Sequence, residues 1–323
     1  MSAKVEDADS AKHRQLFTNN VLHFGNVDIR FADISPWYPD PTKRRPNFEV
    51  VLLLHPMMFG GVDTWNRTPS MDWTVVDELL SKGFRVIAPD FRGHGQSLKP
   101  RDGYAYGKAL ISDQLKLLDL VECEKVHIAG YSLGAEVALK FAIQHPERVK
   151  SLVLGGSAWA DAEQAESYQH LGDGGCFAGN DYWWCAHYWT TCCWGYRINS
   201  RGYEAKNIGG KRGVQAVLLA MEEHGKHIAN PPEEEVKSIK VPVMGISGAN
   251  DPQLKFHKRL EAALGPDLFS LTVVPGKSHE DTPLTKEWMN ALVGHVLAVK
   301  TDLEAKGLQE PTAPATKPET MDR

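Results

Sequence analysis

Short, unbroken apolar runs rich in β-branched residues constrain this chain more than any other feature of its sequence. Residues 50–54, 84–88, 126–130, 149–154 and 241–246 are such runs, and residues 268–274 form a looser one. They do not alternate apolar with polar, so each reads as a strand covered on both faces, which is the situation of a parallel sheet. Ahead of them, residues 20–24 and 27–34 flank Gly25-Asn26, a pair that favours a hairpin turn. Between the runs, residues 73–82, 104–120, 133–145, 252–264 and 287–300 carry apolar side chains at spacings of three and four, the mark of helices with one buried stripe. Strands alternating with helices predict an α/β sheet with right-handed crossovers.

The alternation is interrupted once, between the sixth strand and the seventh. Residues 157–237 are far too long for an ordinary connection of ~2 to 6 residues and are expected to form a helical cap. This divides the chain into a polar leader, 1–19, a core in two parts, 20–156 and 238–308, around the cap, 157–237, and a Pro-containing tail, 309–323, expected to be disordered. With 42% apolar and 24% charged residues, a net charge of −5 and scattered basic side chains, the chain offers no footprint for nucleic acid. The leader lacks an apolar core and no run approaches the ~20 residues of a membrane span, so a cytoplasmic protein is expected. Five cysteines without a CxxC pair fit a reducing compartment. Nothing in the pattern specifies an oligomeric state.

One short motif carries chemistry. Gly130-Tyr131-Ser132-Leu133-Gly134 reads G-x-S-x-G at the junction of a strand and an amphipathic helix. In that context the serine sits on a sharp elbow that pushes its hydroxyl outward, and glycines are needed where side chains would strike the neighbouring strand and helix. A serine hydroxyl needs a base to take its proton and an acid to orient the base. Asp251 follows the strand ending near Ser247, and His279 follows the last strand, so Ser132, Asp251 and His279 each leave a strand at its carboxyl end. Asp161, shortly after the sixth strand, is the alternative acid, and Asp251 could instead cap the helix behind it.

These features together resemble the α/β-hydrolase fold, over residues 21–299. The segment Asp90-Phe91-Arg92-Gly93-His94-Gly95-Gln96-Ser97 is similar to the family's Asp-x-Arg-Gly-x-Gly-x-Ser loop, and Leu54-His55-Pro56-Met57 to its His-Gly-x oxyanion turn, with Pro56 in place of the usual glycine. The resemblance implies a mostly parallel central sheet flanked by helices, with the cap inserted after the sixth strand. It implies a serine hydrolase in which Ser132 is the nucleophile, His279 the base and Asp251 the acid, with the amides of Met57 and Leu133 as the oxyanion hole. It requires no cofactor. Dehalogenases and epoxide hydrolases of this fold use an aspartate nucleophile, which Ser132 argues against. His55, His94, Asp90 and Arg92 read as loop-bracing groups.

The expected substrate is a small or medium apolar ester, because the cap holds Tyr182, Trp183, Trp184, Tyr188, Trp189, Trp194 and Tyr196 in one stretch. Tyr131, Trp184 and Trp194 are the candidate substrate contacts. Lactones, thioesters, acyl transfer, perhydrolysis and carbon-carbon bond hydrolysis use the same triad, and a non-catalytic ligand receptor on this fold is the alternative of another class. Cys185, His187, Cys192 and Cys193 match no usual zinc spacing, so no metal is expected.

Overall fold

The computed structural model describes residues 18–24, 27–36, 48–57, 60–65, 73–172 and 210–307. Among the described residues eight strands form one sheet: β1 (Thr18–Phe24), β2 (Val27–Ile34), β3 (Val50–Leu54), β4 (Arg85–Pro89), β5 (Val126–Tyr131), β6 (Val149–Gly155), β7 (Val243–Gly248) and β8 (Phe269–Val274). Their order across the sheet is β1-β2-β4-β3-β5-β6-β7-β8. β1 and β2 pair antiparallel, and β2 meets β4 antiparallel. From β4 to β8 every neighbour is parallel. The sheet is therefore the mostly parallel one that the apolar runs predict.

The helices among the described residues are α1 (Gly61–Trp65), α2 (Val75–Ser81), α3 (Lys108–Leu120), α4 (Leu133–Gln144), α5 (Ala162–Gly172), α6 (Gly210–His227), α7 (Glu233–Val236), α8 (Leu254–Leu264) and α9 (Lys286–Ala305). Successive side chains of a strand face opposite sides, and β3 shows the consequence. Leu52 and Leu54 join the apolar layer under α3, α4 and α8, while Val51 and Leu53 join the layer under α2 and α9. All five residues of β3 are buried. Burying both faces is what forces an unbroken apolar run rather than an alternating one.

Several boundaries differ from the sequence reading, each for a local reason. The predicted helix over 104–120 is split into a 3-10 turn, Gly103–Ala105, and α3, because Gly107 takes φ +57° and Tyr106 is extended. Tyr106 leaves the helix to bury its ring and donate its hydroxyl to the carbonyl of Pro100. α8 starts at Leu254 rather than Pro252, since Asp251 first closes a tight turn by accepting the amide of Gln253 at 2.8 Å. β1 begins at Thr18, two residues inside the expected leader. The Gly25-Asn26 turn, the aromatic stretch 182–196 and the tail from 309 onward lie outside the described residues.

The described part of the insertion between β6 and β7 holds the helices α5, α6 and α7, joined by non-helical segments. α5 and α6 run so close that a Cβ on Gly225 would sit 2.4 Å from the carbonyl oxygen of Ala165. α6 also packs on the loop after β4, through Ala216 and Ala220 against Tyr106. None of the described helices is long and apolar enough to cross a membrane.

Burial makes an acid-sensitive fold. His55 and His257 are held down to about 4, and His94 to about 3, chiefly because burial penalises the charged ring. An unfolded histidine titrates near 6.5, so between pH 6.5 and 4 the unfolded chain binds protons that the native state refuses. Stability is therefore full above about pH 6.5 and falls on acidification, at roughly 1.4 kcal/mol per pH unit for each such histidine. Urea midpoints measured from pH 7 to pH 4.5 should fall steeply, and a flat profile would show that these rings are hydrated.

Candidate active site

At the end of β5 the chain turns into α4 through a single residue. Ser132 has φ +53° and ψ −118°, and Glu122 is the only other non-glycine at positive φ among the described residues. Such a conformation costs on the order of 1–3 kcal/mol and persists only where surrounding structure imposes it. Here the Ser132 amide donates to Gly155 O at 2.7 Å, and its carbonyl accepts from Ala135 N at 2.9 Å. The flanking glycines are steric requirements. A Cβ on Gly130 would lie 2.2 Å from the carbonyl oxygen of Gly134, and one on Gly134 would lie 2.0 Å from that of Leu54. Since both obstacles are backbone, Gly134→Ala should destabilise the protein by about 1–3 kcal/mol or more, read from its urea midpoint.

His279 reaches the elbow from the loop after β8. Its Nε2 lies 3.0 Å from Ser132 Oγ, and its Nδ1 lies 2.8 Å from Asp251 Oδ2. The Asp251 side chain is fully buried, and its second oxygen is the one that accepts from Gln253 N. An ionised carboxylate only accepts, so Nδ1 carries the ring proton and Nε2 presents a lone pair to the serine hydroxyl. Asp161 lies elsewhere. It caps α5 by accepting from Gln164 N at 2.9 Å and pairs with Lys255 Nζ at 2.9 Å.

Tyr131, a candidate substrate contact in the sequence, packs in the apolar layer under α9. It is buried, donates its hydroxyl to the carbonyl oxygen of His279 at 2.6 Å and packs edge-on against Trp288. Burial, reinforced by the charge of Asp251, raises the phenol well above its ordinary value and keeps it a donor. Its position beneath the histidine loop follows from the strand: β5 continues through Tyr131, so that side chain points into the layer under α9 while Ser132 turns away. Gly156 makes this possible, because a Cβ there would fall within 2.9 Å of both Tyr131 and His279 Cε1. That glycine was not singled out in the sequence; the Gly155-Gly156 pair closing a strand was its only signal. Trp184 and Trp194 lie outside the described residues.

The polar loop residues brace the site from one side. His55 Nδ1 donates to Pro56 O at 2.7 Å, which leaves Nε2 to accept from Phe91 N at 2.9 Å, tying the exit of β3 to that of β4. Arg92 makes a two-pronged pair with Asp113, at 2.6 and 2.5 Å, and also donates to Ala105 O. Asp90 Oδ2 accepts from Gln96 N at 2.7 Å. Met57 follows this braced turn, and Leu133 opens α4. The close contact of Gly134 with Leu54 and His55 brings the first turn of α4 against that segment.

A second serine, histidine and carboxylate meet near the amino-terminal ends of the central strands β3, β5 and β6. His127 Nδ1 is 2.8 Å from Ser151 Oγ and its Nε2 is 2.7 Å from Glu49 Oε2. Both Ser151 and His127 are wholly buried, and Ser151 lies inside β6 with no elbow. No acyl group can approach it, so this set is a buried polar brace that happens to share the atom types.

A family model described as the alpha/beta hydrolase fold matches residues 50–181. The 2-hydroxymuconate semialdehyde hydrolase of Pseudomonas sp. strain CF600 is 41% identical over 98 residues, covering 30% of this chain and 33% of that protein. The 2-hydroxy-6-oxo-2,4-heptadienoate hydrolase of Pseudomonas putida is 36% identical over 104 residues, 32% of this chain and 36% of that one. The match thus spans about a third of the length of these relatives. A carboxylesterase structure from Nitrososphaera gargenis superposes with a TM-score of 0.66 at 19% identity, covering 88% of this chain and 100% of that one. With the strand order, the superposition and the match of residues 50–181 in agreement, the chain has the α/β-hydrolase fold.

Proposed function

We propose that the chain is a serine hydrolase that cleaves carboxylic esters of small or medium apolar substrates through an acyl-enzyme. The observation that carries this reading is the pair of contacts at His279, 3.0 Å to Ser132 Oγ and 2.8 Å to Asp251 Oδ2. As the serine oxygen attacks the ester carbonyl, its proton passes to Nε2 of His279, and the imidazolium is stabilised by the buried carboxylate of Asp251. The same proton then goes to the departing alkoxide. Water repeats the sequence on the acyl-enzyme, with His279 again as base.

The negative charge on the tetrahedral oxygen falls to the amides of Met57 and Leu133. Leu133 is the first residue of α4, so its N–H has no intrahelical acceptor and lies at the positive end of the helix. Pro56 lacks an N–H of its own but removes none from Met57. No cofactor takes part in this scheme, and the partner is a small molecule.

A second reading is hydrolysis of a carbon-carbon bond, favoured by the names of two relatives. A 2-hydroxy-6-oxo-2,4-heptadienoate has no ester, so a hydrolase of that compound must cut between carbons. The two readings separate in one panel of p-nitrophenyl esters of increasing acyl length set beside an oxo-dienoate. On the ester reading kcat/KM rises along the series, by up to ~0.8 kcal/mol per buried methylene, until the pocket is full. Turnover of the oxo-dienoate with weak, length-independent ester cleavage would transfer the assignment.

A further inference from the structure

Four residues past the nucleophile, the apolar helix α4 carries one carboxylate. Glu136 is 1% exposed, on a helix whose other buried residues include Leu133, Val137 and Leu139. A buried charge of this kind is retained only with good partners, and Glu136 has three, drawn from three separate segments. Oε1 accepts from Ser157 Oγ at 2.7 Å, in the loop after β6, and from Tyr168 Oη at 3.2 Å, on α5. Oε2 lies 2.7 Å from Nε2 of His224, on α6. Ser157 and His224 are fully buried. The Tyr168 ring meets that of His224 edge-on at 5.6 Å, and Gly225 beside it allows the close approach of α5 and α6.

The backbone connects this cluster to the elbow, since the Glu136 amide donates to the carbonyl of Ser132 at 3.3 Å. α5 and α6 are also the helices that precede and follow residues 173–209 in the chain. We propose that Glu136 is a positioning residue whose carboxylate fixes both inserted helices, through Tyr168 and His224, to the helix that carries Ser132. α5 and α6 are then held at one angle to the helix that carries Ser132, and binding of the acyl group depends on Glu136 although the residue takes no part in bond making. Only the kinetic part of this proposal rests on the serine-hydrolase reading.

The test uses the full chain with Glu136→Gln and Tyr168→Phe. The first substitution puts an N–H where the carboxylate only accepts, and the second deletes one donor; loss of one such bond corresponds to roughly tenfold in an opening equilibrium. Hydrogen exchange of amides in α5 and α6 should quicken by about tenfold in both variants, with those of β3, β5 and β6 unchanged. For a hexanoate ester KM should rise by about tenfold while kcat, and the rate at which a fluorophosphonate labels Ser132, stay within roughly twofold. Unchanged exchange in α5 and α6, or a fall in kcat at constant KM, would overturn the proposal. If Glu136→Gln does not fold, Tyr168→Phe and Ser157→Ala decide it by the same readings. Failure of the wild type to take the phosphonate would remove the serine-hydrolase reading, while the exchange result would still decide whether Glu136 anchors the two helices.

Discussion

Ser132→Ala should lower kcat on the best ester by on the order of 10⁶ and leave the melting temperature within a few degrees of the wild type. The hydroxyl is directed away from the core by an elbow that its backbone alone maintains, through Gly155 O and Ala135 N. Alanine at φ +53° bears the same backbone strain as serine, so the exchange removes the nucleophile and its hydrogen bond to His279 and little else. Mass spectrometry after treatment with a fluorophosphonate should find one label, on Ser132, and none in the variant. Activity surviving in Ser132→Ala, or a label on Ser151, would place the chemistry elsewhere.

The second large effect concerns the acid. Asp251→Asn should cost about 10⁴ in kcat, because an amide can donate to Nδ1 and so favours the tautomer whose Nε2 already bears a proton. Asp161→Asn should leave kcat within a factor of two. Asp161 faces Lys255 and the first turn of α5, so its loss weakens a helix cap rather than the base. The ranking is read from pre-steady-state acylation of an activated ester, and the reverse order would hand the role to Asp161. Both carboxylates stand between Ser132 and His279 in the chain, and Asp251 is the one whose oxygen lies 2.8 Å from His279 Nδ1.

Much of the architecture is legible in the sequence. Runs such as Val50–Leu54 can be satisfied only when both faces are covered, and β3 does feed two separate apolar layers. The elbow was legible for the same kind of reason. A serine between two glycines, at the end of an apolar run and the start of an amphipathic one, has few conformations open to it. Where the reading missed, a long-range contact had overridden a local pattern. The helix over 104–120 broke because Tyr106 found a buried place and an acceptor at Pro100. Tyr131 went beneath the histidine because alternation along β5 sends it into the apolar layer under α9.

The sequence by itself determined what depends on neighbours along the chain: the strands and their burial, the helices, the sharp turn at Ser132 and the order in which serine, aspartate and histidine leave the sheet. The tertiary structure decided which groups meet. Residues 132, 251 and 279 are far apart in the chain, and so are 49, 127 and 151, yet the first set has an elbow and a partly exposed histidine while in the second both Ser151 and His127 are wholly buried. Glu136 makes the same point, since a lone carboxylate in an apolar helix announces a buried partner without naming it. Its donors come from Ser157, Tyr168 and His224. Hydrogen bonds and ion pairs act over about 3 Å in space, and separation along the chain has no bearing on them until the sheet has brought the segments together.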